Sequence, residues 1–238
     1  MNTAYLLLRK IVPSLCTLAN LLFGFVALVL IFEGHTDWAA VFIVAGALFD
    51  GFDGRLARAL NVSSAFGKQL DSLSDLVTFG VAPALLAYVT SLNVLPAFWG
   101  AAAVLPFTLM GALRLARFNV IEESPGFYIG VPITFAGGFL ALLLILPATL
   151  PWWLVLAVLL VLSALMISTF QFPDFKTMGV KRAHVLAVCT VLIAAVIWLR
   201  WYASAVYIIP GIAYLLVGIK NNFVDYVQTK KKKRRAAS

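Results

Sequence analysis

Residues 12–32 read Val12-Pro13-Ser14-Leu15-Cys16-Thr17-Leu18-Ala19-Asn20-Leu21-Leu22-Phe23-Gly24-Phe25-Val26-Ala27-Leu28-Val29-Leu30-Ile31-Phe32, with no charge anywhere along the run. Crossing a bilayer takes about 20 mostly apolar residues in a helix, so this stretch by itself predicts a membrane span. Similar runs follow at roughly 38–58, 72–91, 95–115, 130–149, 152–171, 183–200 and 203–220. Polar or helix-breaking segments separate them: Glu33 to Asp37, Asn93 with Pro96, Glu122 to Gly126, Pro147 to Pro151, and Pro173 to Gly179. The composition agrees, because the 238 residues are 63% hydrophobic and 12% charged, where a soluble domain carries about a quarter charged residues. That excludes a water-soluble globule and a disordered chain. Cys16 and Cys189 both sit in apolar runs and make neither a disulfide framework nor a zinc site. The first run is longer than a signal core and lacks a small-residue cleavage pattern. The expected fold is all-α: a polytopic transmembrane helix bundle of about eight spans.

The basic residues orient it. With the N-terminus in the cytoplasm, Arg9, Lys10, Arg55, Arg58, Lys68, Arg114, Arg117, Lys176, Lys181, Arg182, Lys220 and Lys230 to Arg235 all fall inside, and only Arg200 falls outside. Cytoplasmic loops carry the excess of Lys and Arg, so both termini are expected in the cytoplasm. Residues 1–220 form the membrane domain and 221–238 a basic cytoplasmic tail. The run Lys230 to Arg235 suits an anionic leaflet, where each charge contributes about 1 kcal/mol near the surface. No groove-reading or aromatic-interleaved module accompanies it, so no nucleic-acid partner is expected.

The few carboxylates are concentrated. Asp50-Gly51-Phe52-Asp53-Gly54-Arg55-Leu56-Ala57-Arg58 is followed, after a short polar turn, by Gly67-Lys68-Gln69-Leu70-Asp71-Ser72-Leu73-Ser74-Asp75. Spacings of three (Asp50, Asp53) and four (Asp71, Asp75) put each pair on one helix face. A carboxylate at mid-membrane depth costs about 2.5–3.5 kcal/mol on insertion scales, so four of them require a wet or ion-filled cavity. Simple capping accounts for one or two acids but not for four on matching faces. An ion pathway is the stronger competitor, yet no ionisable ladder continues to the far side. Oxygen-only ligands favour hard divalent cations, and two such ions can hold a pyrophosphate through a displacement at phosphorus. Gly54 and Ala57 keep the helix surface low, and Arg58 offers a planar donor fork to a phosphate.

The pattern Asp50-x-x-Asp53-Gly54-x-x-Ala57-Arg58, eight residues, Gly67-x-x-x-Asp71-x-x-x-Asp75 resembles the complete signature of the CDP-alcohol phosphatidyltransferases. The resemblance implies that Asp50, Asp53, Asp71 and Asp75 hold two Mg²⁺ or Mn²⁺ ions, and that Asp75 is also the catalytic general base. It places Gly54, Ala57, Arg58 and Gly67, with Asp50 and Asp53, around the CDP group. Thr78 to Ala84, Arg114 to Asn119, Gly130 to Gly137 and Phe172 to Lys176 resemble the membrane phosphatidylserine synthase branch, extending the likeness over roughly 11–185. The implied substrates are CDP-diacylglycerol, or an archaeal-lipid equivalent, and L-serine, with CMP released. The alternatives are the same chemistry on glycerol 3-phosphate, or a cation transporter using the acids. A homodimer, a prokaryotic cytoplasmic membrane and an active site facing the cytoplasm are also implied.

Serine brings a carboxylate, so its pocket needs a cation beyond those serving the pyrophosphate. Lys68, Arg114 and Arg117, with Asn119 as a neutral partner, are the candidates for the acceptor or the lipid phosphate. Thr17 and Asn20, three apart in the first span, face either the nucleotide or a neighbouring helix. His35 and His184 lack a second metal-type ligand nearby. Trp152, Trp153, Trp198 and Trp201 fit an outer-interface aromatic belt, and Gly24, Gly46 and Gly137-Gly138 suit close helix packing.

Overall fold

The computed structural model describes residues 3–59, 62, 64–120, 127–145, 150–173 and 211–216, with backbone alone for 3–12, 53–59, 127, 128 and 171–173. Among the described residues six helices carry the fold: α1 (Thr3–Phe32), α2 (Thr36–Ala59), α3 (Ala65–Leu92), α4 (Ala97–Val120), α5 (Ile133–Leu144) and α6 (Trp152–Ile167). Residues 211–216 add a further helical turn and a half. Pro13–Phe32 of α1, α3 and α4 are long and apolar enough to cross a membrane.

Local chemistry explains the boundaries. Gly34 ends α1 at φ +82°, a left-handed conformation that glycine adopts without a Cβ penalty. The His35 amide donates to the Leu30 carbonyl (2.8 Å) and the Gly34 amide to that of Ile31 (3.1 Å), closing the orphan carbonyls of the last turn. Helix α2 starts at once, and the two lie together as a hairpin. Ala27, Ile31, Ala39, Ala40 and Ile43 are buried in the core, and the Phe23 ring packs on Phe42 and Phe49 at centroid distances of 5.5 and 4.9 Å. Ser64 caps α3, its Oγ accepting from the Gly67 amide at 3.0 Å, which satisfies one of the unpaired N-terminal donors.

Helix α3 is not uniform. It is α-helical to Asp75, widens into a π turn over Leu76–Val81, and widens again over Tyr88–Leu92. Pro83 follows the first wide turn, and its missing N–H removes one rung of the ladder. The Ala82 amide reaches back to the Val77 carbonyl instead. Such local widenings are frequent at functional sites, and this one begins at the residue after Asp75.

One feature departs from a purely helical chain. Residues Phe127–Ile129 and Gln171–Pro173 pair as a two-stranded antiparallel ribbon, Tyr128 opposite Phe172. The segments beside it are extended, so α5 and α6 are shorter than the expected spans 130–149 and 152–171. The expected span 183–200, most of 203–220, and the basic tail lie outside the described residues.

The buried core centres on Phe79, Phe107, Ile133, Leu140, Leu159, Leu162 and Met166. Large apolar side chains also face outward in register. Leu15, Leu18, Leu22, Phe25, Val29 and Phe32 form one exposed stripe on α1, and Phe98, Leu105, Leu109 and Leu113 form another on α4. Continuous stripes of this size are what a lipid-solvated protein presents and a soluble one avoids. Trp38, Trp99, Trp152 and Trp153 are exposed at the starts of α2, α4 and α6, at the end of the bundle opposite the acids. That placement fits an interfacial belt. Trp198 and Trp201 lie outside the described residues.

Candidate active site

Helix α2 brings Asp50 and helix α3 brings Asp71 and Asp75 to one point. One carboxylate oxygen from each lies within 4.8 Å of the others. Asp75 is buried and the other two are half-buried. At that separation and an effective dielectric near 20, each pair of charges repels by roughly 3–4 kcal/mol. Three acids held this closely by rigid helices suit a hard cation with oxygen ligands. Asp53, Gly54, Ala57 and Arg58 continue α2 by about one to two turns beyond Asp50, but their side chains lie outside the described residues.

Two neutral donors orient the acids. Asn20 of α1 donates from Nδ2 to Asp75 Oδ1 at 3.1 Å, across 55 positions of sequence, and is completely buried. Its Oδ1 is buried with no hydrogen-bond partner. Thr134, at the second position of α5, donates from Oγ1 to Asp50 Oδ2 at 3.2 Å. The backbone around Asn20 is equally constrained: Thr78 Oγ1 donates to the Asn20 carbonyl at 2.9 Å. Thr78 fits there because Gly24 and Gly46 leave the space; a Cβ on Gly24 would run into Thr78 Oγ1, and one on Gly46 would come within 2.7 Å of Thr78 Cγ2. Gly137 likewise sits against the Phe79 backbone, whereas Gly138 has open space beside it. Close packing thus explains three of the four glycines singled out in the sequence.

The Thr17 hydroxyl donates to the Pro13 carbonyl one turn back, at 3.2 Å. Gly67 contributes its amide to the Ser64 cap, and a Cβ there would stand 3.2 Å from Ser64 Oγ.

Three of the four acceptor candidates converge. Lys68 Nζ donates to the Asn119 carbonyl at 3.1 Å and lies 5.6 Å from the centre of the Phe118 ring. The Arg114 guanidinium, on a buried residue, lies 5.8 Å from the same ring. Asn119 Nδ2 donates to Ser72 Oγ at 2.9 Å, on the turn between Asp71 and Asp75. Arg117 diverges from them. Its guanidinium donates to the carbonyls of Ile167 (3.0 Å), Ile129 (3.0 Å), Ser168 (3.2 Å) and Met166 (3.5 Å), capping the C-terminus of α6 and tying it to the ribbon. Three residues along α4 therefore separate a cation that sits by the Phe118 ring from one that fastens the backbone.

The sequence reading did not assign Thr134 or Thr78 to the site. Both stand in segments it singled out, Gly130 to Gly137 and Thr78 to Ala84, but a hydroxyl in an apolar helix more often bonds its own preceding turn. Ser72, Ser74, Thr90 and Ser163 all do so here.

Comparison with known proteins completes the description. The family model described as CDP-alcohol phosphatidyltransferase matches residues 10–170, a range that contains every acid and donor above. The chain is 41% identical over 165 residues to the CDP-diacylglycerol–serine O-phosphatidyltransferase of Bacillus subtilis, covering 69% of this chain and 91% of the relative. It is 32% identical over 216 residues to the enzyme of the same name from Helicobacter pylori (strain 26695), covering 87% and 89%. It is 32% identical over 179 residues to the archaetidylserine synthase of Methanothermobacter thermautotrophicus, covering 72% and 73%.

Proposed function

We infer the function from one premise: the chain belongs to the CDP-alcohol phosphatidyltransferase family. It is a membrane enzyme that transfers the phosphatidyl group of CDP-diacylglycerol to the hydroxyl of L-serine and releases CMP. The observation that carries this reading is the acceptor shared by relatives of different origin. Bacterial and archaeal names alike specify serine, while the lipid part of the name changes.

The residues divide the work as follows. Asp50, Asp53, Asp71 and Asp75 would hold two ions, Mg²⁺ or Mn²⁺, and the carboxylate trio around one point supports that donor set. The bound ions would neutralise pyrophosphate charge and stabilise the charge that develops on the leaving phosphate. Asp75 takes the proton of the serine hydroxyl as the oxygen attacks the lipid-side phosphorus. The phosphorus–oxygen bond to CMP breaks, and the electron pair leaves with CMP. Asn20 donates to Asp75 Oδ1, which holds the plane of the carboxylate that takes the proton. A base must stand within hydrogen-bond reach of the hydroxyl before its pKa matters. Gly54, Ala57, Arg58 and Gly67 line the CDP side. Lys68 of α3, with Arg114 and Asn119 of α4, would hold the serine carboxylate or the lipid phosphate, a role supported by their convergence around Phe118 and Ser72. Arg117, engaged with four carbonyls, serves the backbone rather than a substrate.

Residues 1–220 form the membrane domain, with about eight spans, both termini in the cytoplasm, and the acids at the cytoplasmic face of a prokaryotic plasma membrane. The outward apolar stripes and the exposed tryptophans at the helix starts support the membrane placement, and the one-sided Lys and Arg distribution supports the orientation. The tail 221–238 lies against anionic lipid, and the enzyme works as a homodimer. An acceptor panel tests the function: purified protein, CDP-diacylglycerol and Mn²⁺ with serine, glycerol 3-phosphate or inositol phosphate in turn. Serine alone should drive CMP release, and release driven equally by glycerol 3-phosphate would overturn the acceptor assignment.

A further inference from the structure

The described hydroxyls in helices divide into those that bond their own preceding turn and those, Thr78, Thr108 and Thr134 among them, that cross to another helix. Thr17, Ser72, Ser74, Thr90 and Ser163 each donate to a carbonyl four residues back, the local bond that such side chains commonly make. Thr134 instead crosses to α2 and meets Asp50 Oδ2, 84 positions away in sequence. The residue that receives it is one of the three acids that share a point.

The backbone that carries Thr134 is fastened from several sides. The Gly130 amide donates to the Phe170 carbonyl at 2.8 Å and the Val131 amide to that of Leu165 at 3.1 Å. Arg117 holds the Ile129 carbonyl and, with the same guanidinium, the end of α6. Gly130 has a φ of +75°, and a Cβ there would collide with the Met166 carbonyl. Pro132 then sets the entry to α5 at φ −58°, and Ile133 is buried against Gly111 and Gly80. The hydroxyl is therefore delivered by a rigid strut rather than by a mobile loop.

A neutral donor on one carboxylate oxygen fixes the plane of the group without cancelling its charge. Outer-shell hydrogen bonds of this kind orient metal ligands, and losing one typically costs about 10- to 100-fold in metal affinity. We propose that Thr134 is a positioning residue that holds Asp50 in the orientation needed to bind the divalent cation, with the Arg117 clasp and the ribbon as its support. This rests on the reading of the acids as a metal site.

The test uses the full-length protein in detergent and reads Mn²⁺ binding directly, by loss of the free-ion EPR signal, without substrate. Thr134→Val, nearly isosteric, should raise the Mn²⁺ concentration for half-saturation by roughly 10-fold or more, and Thr134→Ser should bring it back to within about twofold of the parent. Turnover by Thr134→Val should recover at saturating Mn²⁺. Asp50→Asn is the control for the underlying reading. If Asp50→Asn weakens binding while Thr134→Val leaves the isotherm unmoved, the positioning role is wrong and the metal site stands. If neither substitution moves the isotherm, both readings fall. Weak binding by Thr134→Ser equal to that of Thr134→Val also overturns the proposal, because the effect would not depend on the hydroxyl. Thermal unfolding in EDTA identifies a variant that fails to fold, and Thr134→Ala then replaces Thr134→Val in the same comparison.

Discussion

Replacing Asn20 with alanine removes a buried donor to the proposed base, and its consequences can be estimated from the geometry. The amide stands 3.1 Å from Asp75 Oδ1, and both residues are buried. A hydrogen bond to a charged group contributes about 1.5–3 kcal/mol net, which corresponds to roughly 10- to 150-fold in rate at 1.36 kcal/mol per decade. The loss should fall on kcat, because Asn20 faces the base, and the KM for CDP-diacylglycerol should change by less than about threefold. Asn20→Asp should be worse than Asn20→Ala. A second carboxylate at that distance adds repulsion of about 5 kcal/mol at an effective dielectric near 20. The assay is steady-state CMP release with both substrates varied, with thermal unfolding as a check on the fold. A kcat within about twofold of the parent for folded Asn20→Ala would refute the reasoning. So would an Asn20→Asp variant more active than Asn20→Ala.

Other consequences follow from the same geometry. Asp75→Asn should abolish turnover while leaving CDP-diacylglycerol binding largely intact, read by equilibrium binding of the labelled lipid. Arg117→Ala deprives four carbonyls of their donor and should cost about 2–4 kcal/mol, lowering the unfolding midpoint by roughly 5–10 °C. Arg117→Lys should recover little of this, because a point charge cannot reproduce the fork. Gly24→Ala should destabilise by about 1–3 kcal/mol through its collision with Thr78, and the added Thr78→Ala should return part of the loss, measured as coupling in a double-mutant cycle.

The site was more legible in the sequence than the bundle around it. Asp71 and Asp75 are a helical turn apart, Asp50 stands on the preceding helix, and periodicity alone predicted that they would meet. Lys68, Arg114 and Asn119 also come together as their shared position near the acids suggested. Arg117 could not be separated from Arg114 by spacing, because the carbonyls that claim it arrive from Ile129 and from residues 166–168. Asn20 and Thr134 are reached only through contacts 55 and 84 residues long, which no local pattern encodes. In the fold, the α1–α2 turn was visible from Gly34 and its polar neighbours. The apolar span expected from 72 belongs to a helix that starts at Ala65, because the Ser64 cap extends it through polar residues that hydropathy passes over. Spans 130–149 and 152–171 were drawn too long for a related reason. The Val131 amide donates to the Leu165 carbonyl and the Phe170 carbonyl accepts from the Gly130 amide, both residues lying outside the helices, and apolar composition does not distinguish such chain from helix.

Serine's own hydroxyl should displace CMP from the lipid at the acid cluster. Purified protein incubated with CDP-diacylglycerol, Mn²⁺ and serine labelled with ¹⁸O in its hydroxyl tests it directly, with both products analysed by mass spectrometry. The account predicts CMP and phosphatidylserine in equal amounts, with the label in the lipid and none in CMP. CMP formed in excess of phosphatidylserine, or phosphatidylserine without the label, would contradict it.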